Sequence, residues 1–216
     1  MTSIIIRCRN RLEYTVQCLN WVKLNTKIPY EIILVDNAST DGTREWIDWM
    51  QKYTAWYNNM KVLHMDRNCG DWGGMLVGFN YSIGDYIVQL DNDIQVPDGW
   101  LIALQYALDN TDYQVMMLKR DNVAWKLGAK NMQELKNGLL IGQVERPVAC
   151  YITTRSTFTM FANHIKESQG SKSKYMIRSL TKGMIGKVLN VRCLEMEADY
   201  QREKYDPKNP QIWEKV

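Results

Sequence analysis

The sequence predicts an α/β fold: a largely parallel central sheet with helices on both faces. Three observations predict it. Short runs rich in Ile, Val and Leu recur along the 216 residues, each ends in a polar turn, and each turn opens a stretch of helical periodicity. In sheets of this kind ligands sit beyond the carboxyl ends of the strands, so the polar turns are where function is sought.

The first strand is Ser3-Ile4-Ile5-Ile6, followed by the polar run Arg7-Cys8-Arg9-Asn10-Arg11. Tyr14, Cys18, Trp21 and Val22 then recur at helical spacing, and the helix ends near Asn25. The order repeats with a strand over 31–35, a turn over 36–42 and a helix from Thr43. Trp46, Trp49 and Met50 lie at i, i+3 and i+4 of that helix and are expected in the core. A third strand over 61–65 leads into the glycine-rich stretch 68–79, which reads as a turn running into a helix whose glycines permit a close approach. Its spacing matches neither the dinucleotide fingerprint nor a Walker A loop. His64, inside the strand pattern, reads as structural.

The run Asp85-Tyr86-Ile87-Val88-Gln89-Leu90-Asp91-Asn92-Asp93 is a short buried strand that ends in two carboxylates. Such a pair at a sheet rim can hold a hard divalent cation by one or both carboxylates, leaving the other coordination positions to water and phosphate oxygens. The turns after the first, second and fourth strands converge on one edge. Beyond them come a helix with Asp98 as its expected cap and Leu101, Leu104 and Leu108 as its buried stripe, and a strand over 113–118. A hairpin with Trp125 within 122–142, an extended run over 146–154, and two short helices within 156–182 joined by a linker at 168–171 follow. A last strand over 186–191 precedes a polar tail.

Charge is uneven along the chain. Residues 1–145 carry 14 Lys/Arg against 17 Asp/Glu, residues 146–192 carry 9 against 1, and residues 193–216 carry 4 against 6. A charge run of this kind is more often a solvated face, but a late basic block also suits a membrane surface or an anionic partner such as a lipid phosphate, a phosphorylated glycan or modified DNA. Five cysteines without a C-x-x-C pair indicate neither a disulfide framework nor a zinc site. No apolar run approaches the ~20 residues a membrane span needs, and no signal-like segment opens the chain, so a cytoplasmic protein is expected.

The pieces SIIIRCRNR, EIILVDNASTDGT, NCGDWGGMLVGFN, GDYIVQLDNDIQVP and DGWL, in this order over about residues 3–105, resemble the inverting family-two glycosyltransferases of the GT-A fold. The resemblance implies a single domain over 1–216, with a nucleotide-sugar half to about residue 105 and an acceptor half and tail over 106–216. It implies a nucleoside-diphosphate sugar donor, UDP-sugar favoured, with Mn²⁺ or Mg²⁺. By position, Asp36 and Asn37 would contact the base or ribose, Asn68 and Gly70 would line the nucleotide pocket, Asn92 would also belong to the donor site, Asp91 would touch the ribose or a metal-bound water as one of two metal-site carboxylates, and Asp93 would ligate the metal on the diphosphate and so serve catalysis.

Three departures from the family pattern matter. Arg9 stands where the family often has a tyrosine that stacks on the base; a guanidinium can stack too. Met75 stands where an arginine often meets phosphate, a role open to Arg7, Arg9 or Arg11. The window that usually supplies the catalytic base, here 171–176, has no acid, so Glu195 is the first candidate and Glu167 the second. Two rival readings follow: a nucleotide-sugar-binding module without catalysis, and a sugar nucleotidyltransferase, which would need glycines after the first strand.

Overall fold

The computed structural model describes residues 1–54, 58–120, 128–147, 149–167 and 176–196. Its first half is built on β1 (Thr2–Cys8), β2 (Tyr30–Asp36), β3 (Met60–His64) and β4 (Tyr86–Asp91). All four run parallel in the order β3-β2-β1-β4. Side chains alternate across a strand, so Ile4, Ile6, Ile32 and Leu34 face one layer while Ile5, Ile33 and Val35 face the other. Both layers are apolar because helices cover both faces, and this is why the strands read as unbroken hydrophobic runs.

On one face lie α1 (Leu12–Asn25) and α2 (Thr43–Tyr53), with Cys18, Leu19, Val22, Ile47 and Met50 in the core. On the other lies α3 (Gly70–Tyr81). Its glycines are the reason it can sit so low: a Cβ on Gly78 would stand 2.5 Å from Ile5 Cγ2, and one on Gly74 would stand 3.3 Å from Arg7 Cγ and Cδ. The close approach expected of the glycine-rich stretch is therefore an approach to the sheet itself.

The second half adds β5 (Ile94–Gln95), α4 (Trp100–Asp109), β6 (Val115–Arg120), β7 (Lys130–Glu134), β8 (Leu140–Gln143), β9 (Cys150–Thr154), α5 (Arg155–Glu167), α6 (Met176–Leu180) and β10 (Ile185–Glu195). The sheet continues β4-β9-β6-β10-β8-β7, with β5 on β10. Here the direction changes: β9 runs antiparallel to both β4 and β6, while β10 is parallel to β6. The sheet is parallel across β3-β2-β1-β4 and mixed beyond it.

Several elements differ from expectation. Trp49 is 54% exposed, because the buried stripe of α2 runs through Thr43, Ile47 and Met50; the indole packs instead on Tyr53, one turn on, at 6.1 Å. Asp98 does not cap α4. Gly99, at φ 69°, occupies that position in the left-handed region, and its side chain can offer no capping oxygen. The stripe of α4 is as read, with Leu101, Leu104 and Leu108 buried. The strand expected over 113–118 is shifted to Val115–Arg120, and the last strand runs on to Glu195. A register irregularity between Val188 and Arg192 absorbs the polar residues that look like a strand end, after which pairing with β6 resumes. The hairpin is that of β7 and β8, whereas Trp125 and the linker at 168–171 lie outside the described residues. Among the described residues, no helix is long and apolar enough to cross a membrane.

Candidate active site

The loops leaving β1 and β2 are tied into one unit. Asn10 and Arg11 have φ of 57° and 63°, and Ala38 has φ of 63°; these left-handed values are costly for residues with a side chain. Hydrogen bonds hold them there: Asn10 N–H donates to Ser39 Oγ at 2.8 Å, and Thr40 N–H donates to Asn10 Oδ1 at 2.7 Å. Asp36 anchors the second loop from a fully buried position. Its Oδ1 accepts from Ser39 N–H at 2.9 Å, and its Oδ2 lies 3.0 Å from both Arg44 Nε and His64 Nδ1. Burial pushes its carboxyl up, but the bonds from Ser39, His64 and Arg44 outweigh that and hold it below the usual aspartate range. His64 is structural, as read: its other nitrogen lies 2.9 Å from Asp48 Oδ1.

Asn37, Asn68 and Gly70 meet in a second knot. Asn37 Nδ2 donates to Asn68 Oδ1 at 2.7 Å and to Gly70 O at 3.3 Å, while Cys69 N–H donates to Asn37 Oδ1 at 2.8 Å and Gly70 N–H donates to Asn68 Oδ1 at 2.9 Å. The two asparagines thus fasten the start of α3 to the end of β2. Arg9 lies half-buried between the β1 strand end and Asn10. Asn92 is not brought to this cluster: it is buried, and its amide donates to Thr15 Oγ1 on α1 at 2.9 Å.

Each carboxylate of the rim pair meets an arginine from the β1 end. Arg7 Nη2 donates to Asp91 Oδ1 at 2.6 Å, and Arg7 Nη1 lies 3.1 Å from Asp71. Arg11 Nη2 donates to Asp93 Oδ2 at 3.1 Å, and its guanidinium stands 4.9 Å over the Tyr14 ring. Desolvation raises both aspartates above their usual range; Arg7 opposes this at Asp91, and Arg11 at Asp93. Burial also works against the charge of Arg7, which Asp91 and Asp71 more than restore. Met75 is fully buried among the core side chains on the α3 face of the sheet, so positive charge at the rim comes from Arg7 and Arg11 instead.

Glu195 is drawn to the same rim by main-chain pairing. It lies opposite Ile94 on β5, and Met196 N–H donates to Asp93 O at 2.8 Å. Its carboxylate forms an ion pair with Arg120, and its charge is felt at Asp93. Glu167 stands exposed at the end of α5. Of the acid-free window, residues 171–175 lie outside the described residues.

The chemistry of the donor set fits a divalent cation. The side-chain bonds from Arg7 and Gln89 to Asp91 fall on Oδ1, and that from Arg11 to Asp93 falls on Oδ2. No group of three or more His, Cys, Asp or Glu forms a cage among the described residues. A hard cation here would therefore take carboxylate oxygens from Asp91 and Asp93 and complete its shell with water and phosphate, the habit of Mg²⁺ and of sites built like it. Beside Asp91 opens a cavity of about 210 Å³ lined by Arg7, Trp72, Arg146, Tyr151 and Arg178, among others. Sequence reading missed Arg44, Asp71, Tyr151 and Arg120. Each reaches the rim from a different element, so no spacing in the chain could mark it.

A sheet of this order, with paired carboxylates leaving β4 beside a strand-end cluster, defines the GT-A type of α/β fold. Solved structures agree. S. aureus TarS in complex with UDP-GlcNAc superposes with a TM-score of 0.63 at 17% identity, over 92% of this chain and 61% of that one. GalNAc-T7 with UDP, GalNAc and Mn²⁺ superposes with a TM-score of 0.73 at 15% identity, over 90% of this chain and 43% of that one. The chain belongs to glycosyl transferase family 2, whose family model matches residues 3–167. Glycosyltransferase AglE of Haloferax volcanii is 34% identical over 101 residues, which is 46% of this chain and 32% of AglE. An undecaprenyl-phosphate 4-deoxy-4-formamido-L-arabinose transferase of Photorhabdus laumondii is 25% identical over 178 residues, or 82% of this chain and 53% of that protein. The chain thus spans about a third to a half of the length of these relatives.

Proposed function

We propose that this chain transfers a hexosyl or pentosyl group from a nucleoside-diphosphate sugar, a UDP-sugar in the first instance, to an acceptor hydroxyl with inversion, using Mn²⁺ or Mg²⁺. The observation that carries the reading is the meeting of Asp91 and Asp93 with Arg7 and Arg11 at one rim, next to the Asn37–Asn68 knot. The UDP complexes of structures sharing the fold support the choice of donor.

In this reading residues up to about 105 hold the donor and residues from 106 receive the acceptor, within one domain. The loops anchored by Asp36 and Asn37 shape the base and ribose site, where Arg9 offers a flat cation for stacking. Asn68 and Gly70 form the near wall of that site. Asp91 and Asp93 would hold the divalent cation, which when bound acts as a Lewis acid toward the departing diphosphate. Arg7 and Arg11 add fixed positive charge where negative charge grows on the leaving group. Glu195 accepts the proton of the acceptor hydroxyl as its oxygen bonds to the anomeric carbon, and the bond from that carbon to the diphosphate breaks with its electron pair leaving on the nucleotide. The basic block from Arg146 to Arg192 favours an anionic acceptor.

The test is a thermal-shift panel of nucleotides and nucleotide sugars with and without Mn²⁺, followed by transfer assays. UDP or a UDP-sugar should raise the melting temperature in a metal-dependent way, since a ligand of the native state stabilises by mass action. Asp93→Ala should abolish both the metal dependence and the transfer. Wild-type turnover by that variant would refute the assignment. Slow release of free sugar from the donor separates a transferase from a module that only binds.

A further inference from the structure

Arg7, Gln89 and Tyr151 line the cavity beside Asp91 from three neighbouring strands, β1, β4 and β9. Arg7 stands across from Asp91 and Tyr151 across from Gln89, so by the alternation of side chains all three face the α3 side of the sheet. Tyr151 is 2% exposed, and among the described residues its hydroxyl and Arg7 Nε are both buried without a hydrogen-bond partner. An Arg Nε–H can only donate, and burial pushes the Tyr151 phenol up, so it keeps its proton and can donate too. Gln89 turns its amide nitrogen toward Asp91 Oδ1 at 3.5 Å, which leaves its Oε1 as an acceptor. Buried polar groups in native proteins are almost always paired, so the two hydrogen-bond donors mark a place for an oxygen that these residues do not supply.

Hydrogen-bond counting narrows the choice of oxygen. The charge of Arg7 is already met by Asp91 at 2.6 Å and Asp71 at 3.1 Å, so the atom that meets its Nε need not be charged. A carbonyl or carboxylate oxygen would only accept, and would stand against Gln89 Oε1 with no proton between them. A hydroxyl accepts twice and donates once, which is the complement of Arg7 Nε, Tyr151 Oη and Gln89 Oε1. Size and position narrow it further. At about 210 Å³ the cavity falls below the ~300 Å³ of sites for drug-sized molecules, so it takes one ring and its substituents. Trp72 and Ile177 add apolar lining that suits the C–H groups of such a ring. The other end of Arg7 holds Asp91, a carboxylate of the rim assigned to the diphosphate, and the group bonded to that diphosphate is the sugar.

We propose that this cavity holds the transferred sugar and that Arg7, Gln89 and Tyr151 together read one of its hydroxyl groups: Arg7 Nε–H and Tyr151 Oη–H donate to the hydroxyl oxygen, and the hydroxyl proton is donated to Gln89 Oε1. The inference rests on the glycosyltransferase reading and deepens it by naming residues that select the sugar. A sugar in which this hydroxyl is missing or inverted leaves two buried hydrogen-bond donors unpaired, which is how a polar site rejects a near relative of its substrate.

The experiment is isothermal titration, with Mg²⁺ present, of UDP, UDP-glucose, UDP-galactose, UDP-xylose and UDP-N-acetylglucosamine into wild type and Tyr151→Phe. The variant removes only a hydroxyl without a partner among the described residues, so it should fold. One or more of the four UDP-sugars should bind wild type at least about tenfold tighter than UDP, and Tyr151→Phe should weaken the preferred one about tenfold while leaving UDP within about twofold. The monodeoxy analogues of the preferred UDP-sugar then locate the hydroxyl in wild type, where no change to the protein is involved. One deoxygenation should reproduce the loss in wild type and add little in Tyr151→Phe, because both changes remove the same bond. UDP binding is measured first, and its absence overturns the glycosyltransferase reading together with the sugar selection. UDP binding with no gain from any of the four sugars, or with every deoxygenation adding in full to Tyr151→Phe, overturns the present inference alone. A gain from the sugar that is indifferent to Tyr151 also overturns it, and assigns the two buried hydrogen-bond donors to bound water.

Discussion

Replacing Asp36 by Asn isolates the energetics of the loop leaving β2. The wild-type carboxylate is fully buried and takes three donors, from Ser39, Arg44 and His64. Asparagine can keep the bond from Ser39, but its amide nitrogen then faces the Arg44 guanidinium, donor against donor. Removing one partner of a fully buried ion pair costs about 3–5 kcal/mol. Arg44 is 36% exposed, so solvent screens part of that loss and the lower end, about 3 kcal/mol, is expected. A urea melt at neutral pH should show the unfolding free energy lowered by that amount, read as a lower midpoint with the slope unchanged. The sign of the pH dependence follows from the depressed carboxyl: its contribution is fully present above the unfolded aspartate pKa of about 3.9 and is lost as pH falls through the lower folded value. The gap between wild type and variant should therefore narrow in that acid range. A gap below about 1 kcal/mol at neutral pH, or one that does not change on acidification, would refute the reasoning.

Two other outcomes test separate parts of the molecule. Glu195→Gln should lose transfer in a radiolabelled-sugar assay while retaining UDP affinity by calorimetry, and Glu167→Gln should keep both; the reverse pattern would move the base to α5. Gly78→Ala places a methyl 2.5 Å from Ile5 Cγ2 and should cost about 1–3 kcal/mol in a thermal melt, because α3 must lift from the sheet; an unchanged melting temperature would show that α3 is not held that closely.

The half of the fold built from parallel strands was legible because each buried strand is a continuous apolar run and each helix has one apolar stripe. Ile4 to Ile6 and Leu101, Leu104 and Leu108 carry their burial in their spacing. Trp49 misled because size and periodicity favour burial, whereas the face of α2 is fixed by what it packs against. The long β10 was hidden because its polar middle falls at a register irregularity, which only the partner strand reveals. At the site, the rim residues Asp91 and Asp93 and the cluster of Asp36, Asn37, Asn68 and Gly70 were visible as strand-end or turn residues; Glu195 was singled out only through the resemblance, as an acid of the tail, and Arg44 on Asp36 and Tyr151 beside Asp91 were not visible at all. Such partners depend on contacts between distant elements, and one sequence holds no trace of them.

The reversed direction of β9 has a consequence for how such a molecule can change. Since it runs against β4, it offers the cleft its beginning: Ala149 O accepts from Asp91 N–H at 2.9 Å, and Tyr151 stands opposite Gln89. Arg146 and Pro147, ahead of β9, line the cavity beside Asp91, while the loops after β1, β2 and β4 leave other strands. On the proposed reading these residues belong to the acceptor half, so substitutions at Arg146 and Pro147 are expected to change the acceptor preference while the loops after β1 and β2 keep the donor.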